Sequence, residues 1–127
     1  MDSERERSLY LLQKLKRRGV KLDDFLQDGY EAILIHSCST ILNANQAMTD
    51  LVAYSNEELQ GMNAWCLFPS HSAPLVAEQL RVQSEQPYQV HVRRKDGSEI
   101  LVELKGINFD IAGEPARAIL ARELDEN

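Results

Sequence analysis

An α+β domain is the fold class this sequence predicts, a five-stranded antiparallel sheet with short helices on one face and an amphipathic helix ahead of it. Three observations carry the expectation. Two short strand-like runs, 32–35 and 40–42, flank the polar turn Ser37-Cys38-Ser39. Short capped helical segments fill residues 45–83. Three strand-like runs then close the chain, joined by turns, the first two with apolar side chains at alternate positions. With 127 residues the chain is one domain by length, and 43% hydrophobic with 27% charged residues excludes a disordered or fibrous class.

The leading helix is expected over residues 3–18. Leu9, Leu12 and Leu15, with Leu11 beside them, recur at spacings of three and four, and Lys16-Arg17-Arg18 precedes the stop at Gly19. A leucine stripe left in water forfeits about 25 cal/mol per Å² of apolar area, so it needs a cover. That cover is either the body of the domain or a second copy of the helix. A helix placed ahead of a compact domain favours the copy, which makes Leu9, Leu12 and Leu15 the expected contact of a homodimer. Residues 1–29 are read as this helical cap and dimerisation segment, and residues 30–125 as the domain proper. A short helical turn at 23–27 lies between them, burying Phe25 and Leu26.

Residues 32–35 (Ala-Ile-Leu-Ile) read as a strand buried on both faces, paired with the strand starting at Thr40. Asn45 is an N-cap for a helix carrying Met48, Leu51 and Val52 on one face. Ser55-Asn56-Glu57-Glu58 is a capping box that opens a short helix ending at Gly61. Beyond the apolar patch Trp65–Phe68, Pro74 sits in the first turn of a longer helix over 72–83, with Val76 and Leu80 turned inward. Tyr88, Val90 and Val92 then alternate with polar neighbours, and Ile100, Val102 and Leu104 do the same. Asp96-Gly97 between these runs supplies the positive φ of a hairpin. A last run, 116–124, follows the turn at 110–114.

Composition narrows the function. Residues 1–22 hold seven basic and three acidic side chains, net +4, so the rest carries −10 of the total −6. An acidic body argues against a nucleic-acid surface, which needs a basic face. No apolar stretch approaches the roughly 18 residues of a membrane span, and the charged start is no secretion signal, so a cytoplasmic protein is expected. Cys38 and Cys66 form no C-x-x-C pair and are read as reduced thiols. His36, His71 and His91 lack ligand-like spacing, so no metal site is expected. His91 is assigned to the surface and His71 to a cap region. There is no phosphate-cradling glycine loop and no nucleophile elbow. Glu58 is explained as a cap, and the chain reads as non-enzymatic.

Four motifs carry a resemblance. Asn45-Gln46-Ala47, the run Ala53-Tyr54-Ser55-Asn56-Glu57-Glu58-Leu59-Gln60-Gly61, the hairpin Arg93-Arg94-Lys95-Asp96-Gly97-Ser98 and the ending Ala121-Arg122-Glu123-Leu124-Asp125 together resemble a PAS domain, the sensory module of bacterial and eukaryotic signalling proteins, over residues 30–125. Ala53 and Ser39 stand where the family has glycine, so a different turn geometry is expected there. Glu123-Leu124-Asp125 replaces the usual Asp-Ile-Thr.

The resemblance implies a cavity between sheet and helices, and signal passed through flanking helices to an effector in the same chain, as in two-component systems. The sequence stops at Asp125-Glu126-Asn127, where such an effector would begin, and reads as a fragment. The family's flavin photosensors carry Gly-x-Asn-Cys; here Gly61-Met62-Asn63-Ala64 places alanine at the reactive position. Haem-binding members carry histidine on the long helix, and residues 72–83 contain none. Neither cofactor is expected. The expected lining of the cavity is Leu34, Met48, Leu51, Val76, Leu80, Val90, Val102 and Leu120. The favoured reading is an input domain binding a small apolar ligand or mediating dimerisation. The alternative is a pure interaction module with a filled cavity.

Overall fold

Five strands, β1 (Ala32–Ser37), β2 (Thr40–Ala44), β3 (Tyr88–Arg93), β4 (Glu99–Ile111) and β5 (Glu114–Glu123), form one antiparallel sheet in the order β2-β1-β5-β4-β3 in the computed structural model. Among the described residues the helices are α1 (Ser3–Arg17), α2 (Gln46–Val52), α3 (Asn56–Leu59) and α4 (Ala73–Arg81). Single 3₁₀ turns lie at Leu22–Phe25, Ala64–Leu67 and Ser70–Ser72. The structure describes residues 3–125. Met1 and Asp2 of the leading segment, and Glu126 and Asn127 at the other end, lie outside the described residues.

Local chemistry makes the turns. The Oδ1 of Asn45 accepts from the backbone N–H of Met48 at 3.0 Å and of Ile33 at 3.1 Å, so one amide starts α2 and pins it to β1. Ser55 and Glu58 form the reciprocal capping box at 3.0 and 2.9 Å. The β3–β4 hairpin then docks on the end of α2. Arg94 Nε donates to the Leu51 carbonyl at 3.1 Å, and the Lys95 N–H donates to that of Val52 at 3.0 Å. The side chain of Lys95 reaches the Glu58 carboxylate at 2.5 Å. Both hairpin cations thus meet the carbonyl end of one helix or the acidic cap of the next.

The turns expected to differ for want of glycine keep the left-handed backbone. Cys38 (φ 48°), Ser39 (φ 71°) and Ala53 (φ 63°) all have positive φ, as the tight hairpin and the end of α2 demand.

Strand alternation sorts the sheet into two apolar faces. Leu34, Val90, Val92, Val102, Leu104 and Ala121 face α2–α4, whereas Ile33, Ile35, Ile111, Ala118 and Leu120 face the other way. A bulge where the β1–β2 register shifts at Ile35/His36 lets Ile41 and Ala44 both join the first face while Leu42 joins the second. The second face is covered by α1, through Leu11 and Leu15.

The expectation that a second copy covers the leucine stripe is corrected here. Leu11, Leu12 and Leu15 are buried within the chain itself, and of the stripe only Leu9, at 40% exposed, is open. The premise failed because the doubly apolar β1, β2 and β5 leave a face that needs its own cover. The N-terminal half of α1 is held by polar contacts as well. Ser8 Oγ donates to the Ile41 carbonyl at 2.8 Å, Arg7 bonds Ser37 and Glu114, and Thr40 Oγ1 donates to the Glu4 carboxylate. Gly61, at φ +83°, lies directly beneath α1; a Cβ there would come within 2.8 Å of Arg5 Cα.

Two consequences are measurable by chemical denaturation. Leu15→Ala should cost about 2–5 kcal/mol, whereas Leu9→Ala should stay within about 0.5 kcal/mol; equal effects would remove α1 from its place on the sheet. Ala53→Gly should stabilise by about 0.5–1 kcal/mol, since it relieves a left-handed alanine at an exposed site.

Candidate ligand cavity

Between the inner face of the sheet and α2–α4 lies a cavity of about 60 Å³ whose walls are almost entirely apolar. Six of the eight residues expected to line it do so: Leu34, Met48, Leu51, Val76, Leu80 and Val102. Val90 belongs to the same core but not to the cavity wall.

Leu120 lies on the opposite face, under α1; Ile119 and Ala121 take its place on the wall. The one-residue displacement has a clear cause. From Ala116 to Ala121 every position but Arg117 is apolar, so β5 carries no alternation from which to read its facing.

Trp65 and Phe68 close one wall and meet edge to face with ring centroids 6.2 Å apart. Ala64, the counterpart of the photoreactive cysteine, also lines the cavity, whereas Cys66 is exposed and free, as is Cys38. A flavin does not fit these residues: no thiol faces the cavity, and about 60 Å³ is well below the several hundred Å³ of a pocket for a large ligand. Among the described residues, no group of three His, Cys, Asp or Glu side chains is placed to hold a metal ion.

One end of the cavity is polar, and the sequence reading missed it. His36 on β1 and Arg117 on β5 stand opposite each other in register, and both line the wall. Both are buried, at 8% and 6% exposure. The Nη1 of Arg117 donates to Asn108 Oδ1 at 2.6 Å, and Nη2 to the Ser84 carbonyl. Asn108 is itself tied to the segment after α4: its backbone N–H donates to the Glu85 carboxylate at 2.7 Å, and its Nδ2 to the Gln83 carbonyl at 2.9 Å.

The guanidinium lies over Gly106 of β4, where a Cβ would overlap its central carbon; this glycine has no positive φ, so space and not backbone conformation requires it. Two signals could have found the site: an arginine inside an otherwise apolar run, and a glycine in the middle of a long strand.

Burial sets the protonation here. Loss of hydration, with the Arg117 charge second, pushes the His36 imidazole down to about 4, so it is neutral at pH 7. Burial likewise raises the Tyr88 phenol, which also lines the cavity, and lowers the Arg117 guanidinium without neutralising it. The other histidines do not line the cavity. His71 meets the Glu99 carboxylate at 2.8 Å, and its ring lies 5.5 Å from that of half-buried His91.

Comparison with known proteins agrees with this architecture. A family model described as a PAS domain matches residues 31–123, and the chain belongs to that family. PAS domains are in general sensory signalling modules without catalysis of their own.

Similar solved structures include the PAS domain of a two-component sensor histidine kinase, at 19% identity and TM-score 0.67, covering 88% of this chain and 99% of that one. The PAS domain of an HTR-like protein from Haloarcula marismortui is 22% identical at TM-score 0.65, covering 88% and 96%. The PAS domain of a LuxR-family transcriptional regulator from Burkholderia thailandensis, in complex with ethanol, is 14% identical at TM-score 0.63, covering 80% and 95%. At these identities the likeness is one of fold. No curated protein is similar enough in sequence to match.

The buried imidazole predicts an acid-sensitive window. The unfolded chain binds His36's proton near pH 6.5 and the folded chain only near 4, so stability is whole above the first value and is lost as pH falls between them. The loss reaches about 3 kcal/mol at its limit. Glu58, Asp96 and Glu103, held low by their own partners, add losses only further down. Thermal melts from pH 7 to about 4 should therefore fall for the natural chain and be flatter for His36→Gln; parallel curves would place the sensitivity elsewhere.

Proposed function

We propose that this PAS domain is a sensory input module whose cavity takes up a small, mainly apolar ligand and relays its occupancy to an effector domain through the flanking segments. The observation that carries the reading is an apolar chamber ending at two buried polar atoms, His36 Nδ1 and Arg117 Nε, that have no hydrogen-bond partner among the described residues. A structural core filled for stability alone has no use for such an end, because unsatisfied buried polar groups cost about 1–3 kcal/mol each. The ethanol complex of a similarly folded PAS domain supports a ligand of small size.

The route to an effector starts at the β1–β2 turn. Ser39 lines the cavity, and its neighbours Ser37 and Thr40 are hydrogen-bonded by Arg7 and Glu4 of α1. A ligand that displaces this turn displaces the leading helix with it. At the other end the Leu124 N–H donates to the Leu101 carbonyl at 2.9 Å, so the chain leaves the sheet beside β4. No helix among the described residues is long and apolar enough to cross a membrane.

A second reading, a homodimerisation module, draws on the adjacent exposed side chains Leu9 and Tyr10 on the outer side of α1. Leu12 and Leu15 are spent on the chain's own sheet and offer a partner little.

Native mass spectrometry of freshly purified protein separates the two. A co-purifying small-molecule mass, or a thermal upshift with small alcohols and acids, is the expected result. A ligand-free dimer that no such compound stabilises, and that dissociates on Tyr10→Glu, would establish the second reading instead.

A further inference from the structure

We infer that the ligand of this cavity is a small monocarboxylate, its short apolar tail in the chamber and its carboxylate at the polar end between Arg117 and His36. The inference rests on the proposed ligand-binding role and adds the chemical class. Arg117 Nε and His36 Nδ1 are the two buried side-chain polar atoms without a hydrogen-bond partner among the described residues. They belong to side chains facing each other across the β1–β5 register, and both residues line the chamber.

The charge balance at this point selects an anion. The other guanidinium nitrogens meet neutral acceptors, the Asn108 amide oxygen and the Ser84 carbonyl. Glu85 supports the charge only through space, its carboxylate accepting from the backbone of Asn108. Arg117 is therefore a buried cation tied at both Nη nitrogens, with its Nε–H unpaired and no carboxylate bonded to it. A planar two-oxygen acceptor suits that position: one oxygen accepts from Arg117 Nε–H, the second from the imidazole in its Nδ1–H tautomer. Gly106 leaves the space in which the guanidinium lies.

The remaining walls set the tail. They are apolar, which rejects a second charge on the ligand. Their volume, about 60 Å³, is less than half of the roughly 150 Å³ that admits benzene, so the tail has only a few carbons. A wider cleft outside, of about 540 Å³, shares His36, Ser39, Leu80 and Arg117 with the chamber and also carries Gln83, Asn108 and Asp110. It is the way in, and Arg117 stands at its inner end. An anion beside His36 would favour its protonated form, so uptake should strengthen as pH falls from neutrality, with Arg117 as the other charged group facing the imidazole.

The test compares isobutyrate with isobutyramide and isobutanol on the full chain, read by amide chemical shifts and by the Nε–H resonance of Arg117. Isobutyrate should bind at least about tenfold more tightly than the amide and shift the Nε–H signal, and Arg117→Gln should remove that preference. Gly106→Ala, which displaces the guanidinium without changing charge, should weaken isobutyrate more than isobutanol. If isobutanol and isobutyramide bind as well as isobutyrate, or the Nε–H signal stays put, the carboxylate assignment is overturned while the apolar cavity reading stands. If none of the three perturbs the cavity residues, both fall. Should Arg117→Gln fail to fold, the ligand comparison and the Nε–H signal on the natural chain still decide.

Discussion

Everything in this molecule follows from a sheet whose central strands are apolar on both faces. β1 and β5 present Leu34 and Ala121 to one side and Ile33, Ile35, Ala118 and Leu120 to the other. Neither face can be left to water, because each buried aliphatic side chain is worth about 1.5–3 kcal/mol. One face is therefore roofed by α2–α4, and the other by α1. The two roofs differ in kind. The first is a set of short helices joined by capped turns, and it leaves a chamber. The second is a single helix packed directly on the sheet.

This arrangement gives the leading helix a role that its sequence pattern did not suggest. α1 is anchored by leucines along its middle and by Glu4, Arg7 and Ser8 near its start, which bond to residues of β1, β2 and the turn between them. That turn is itself part of the chamber wall at Ser39. A few residues thus connect the wall of the cavity to the helix on the outside of the sheet. The connection runs through hydrogen bonds and through the left-handed turn at Cys38 and Ser39.

The polar end of the chamber costs stability. A neutral histidine and a partly unpaired arginine replace side chains that could have filled the space with apolar contacts. Burial of this kind is a familiar sign of a functional site when it comes with a cavity and a specific charge partner. Gly106 makes the same point from the other side, because a small residue in mid-strand forgoes packing so that a larger one can lie across it.

What the sequence determined by itself was whatever rests on neighbours in the chain. The Asn45 cap, the Ser55–Glu58 box, the Asp96-Gly97 hairpin and the strand alternation around Val90 and Val102 are local chemistry, and all four could be read directly. Six of the cavity residues followed from those periodicities. Tertiary structure alone decided the rest. The facing of β5 could not be read because both its faces are apolar. The cover for α1 could not be read because a leucine stripe is equally satisfied by a sheet or by a second helix. The meeting of His36 with Arg117 joins residues far apart in sequence, through a register that depends on the whole sheet, and no local rule encodes a pairing of that range.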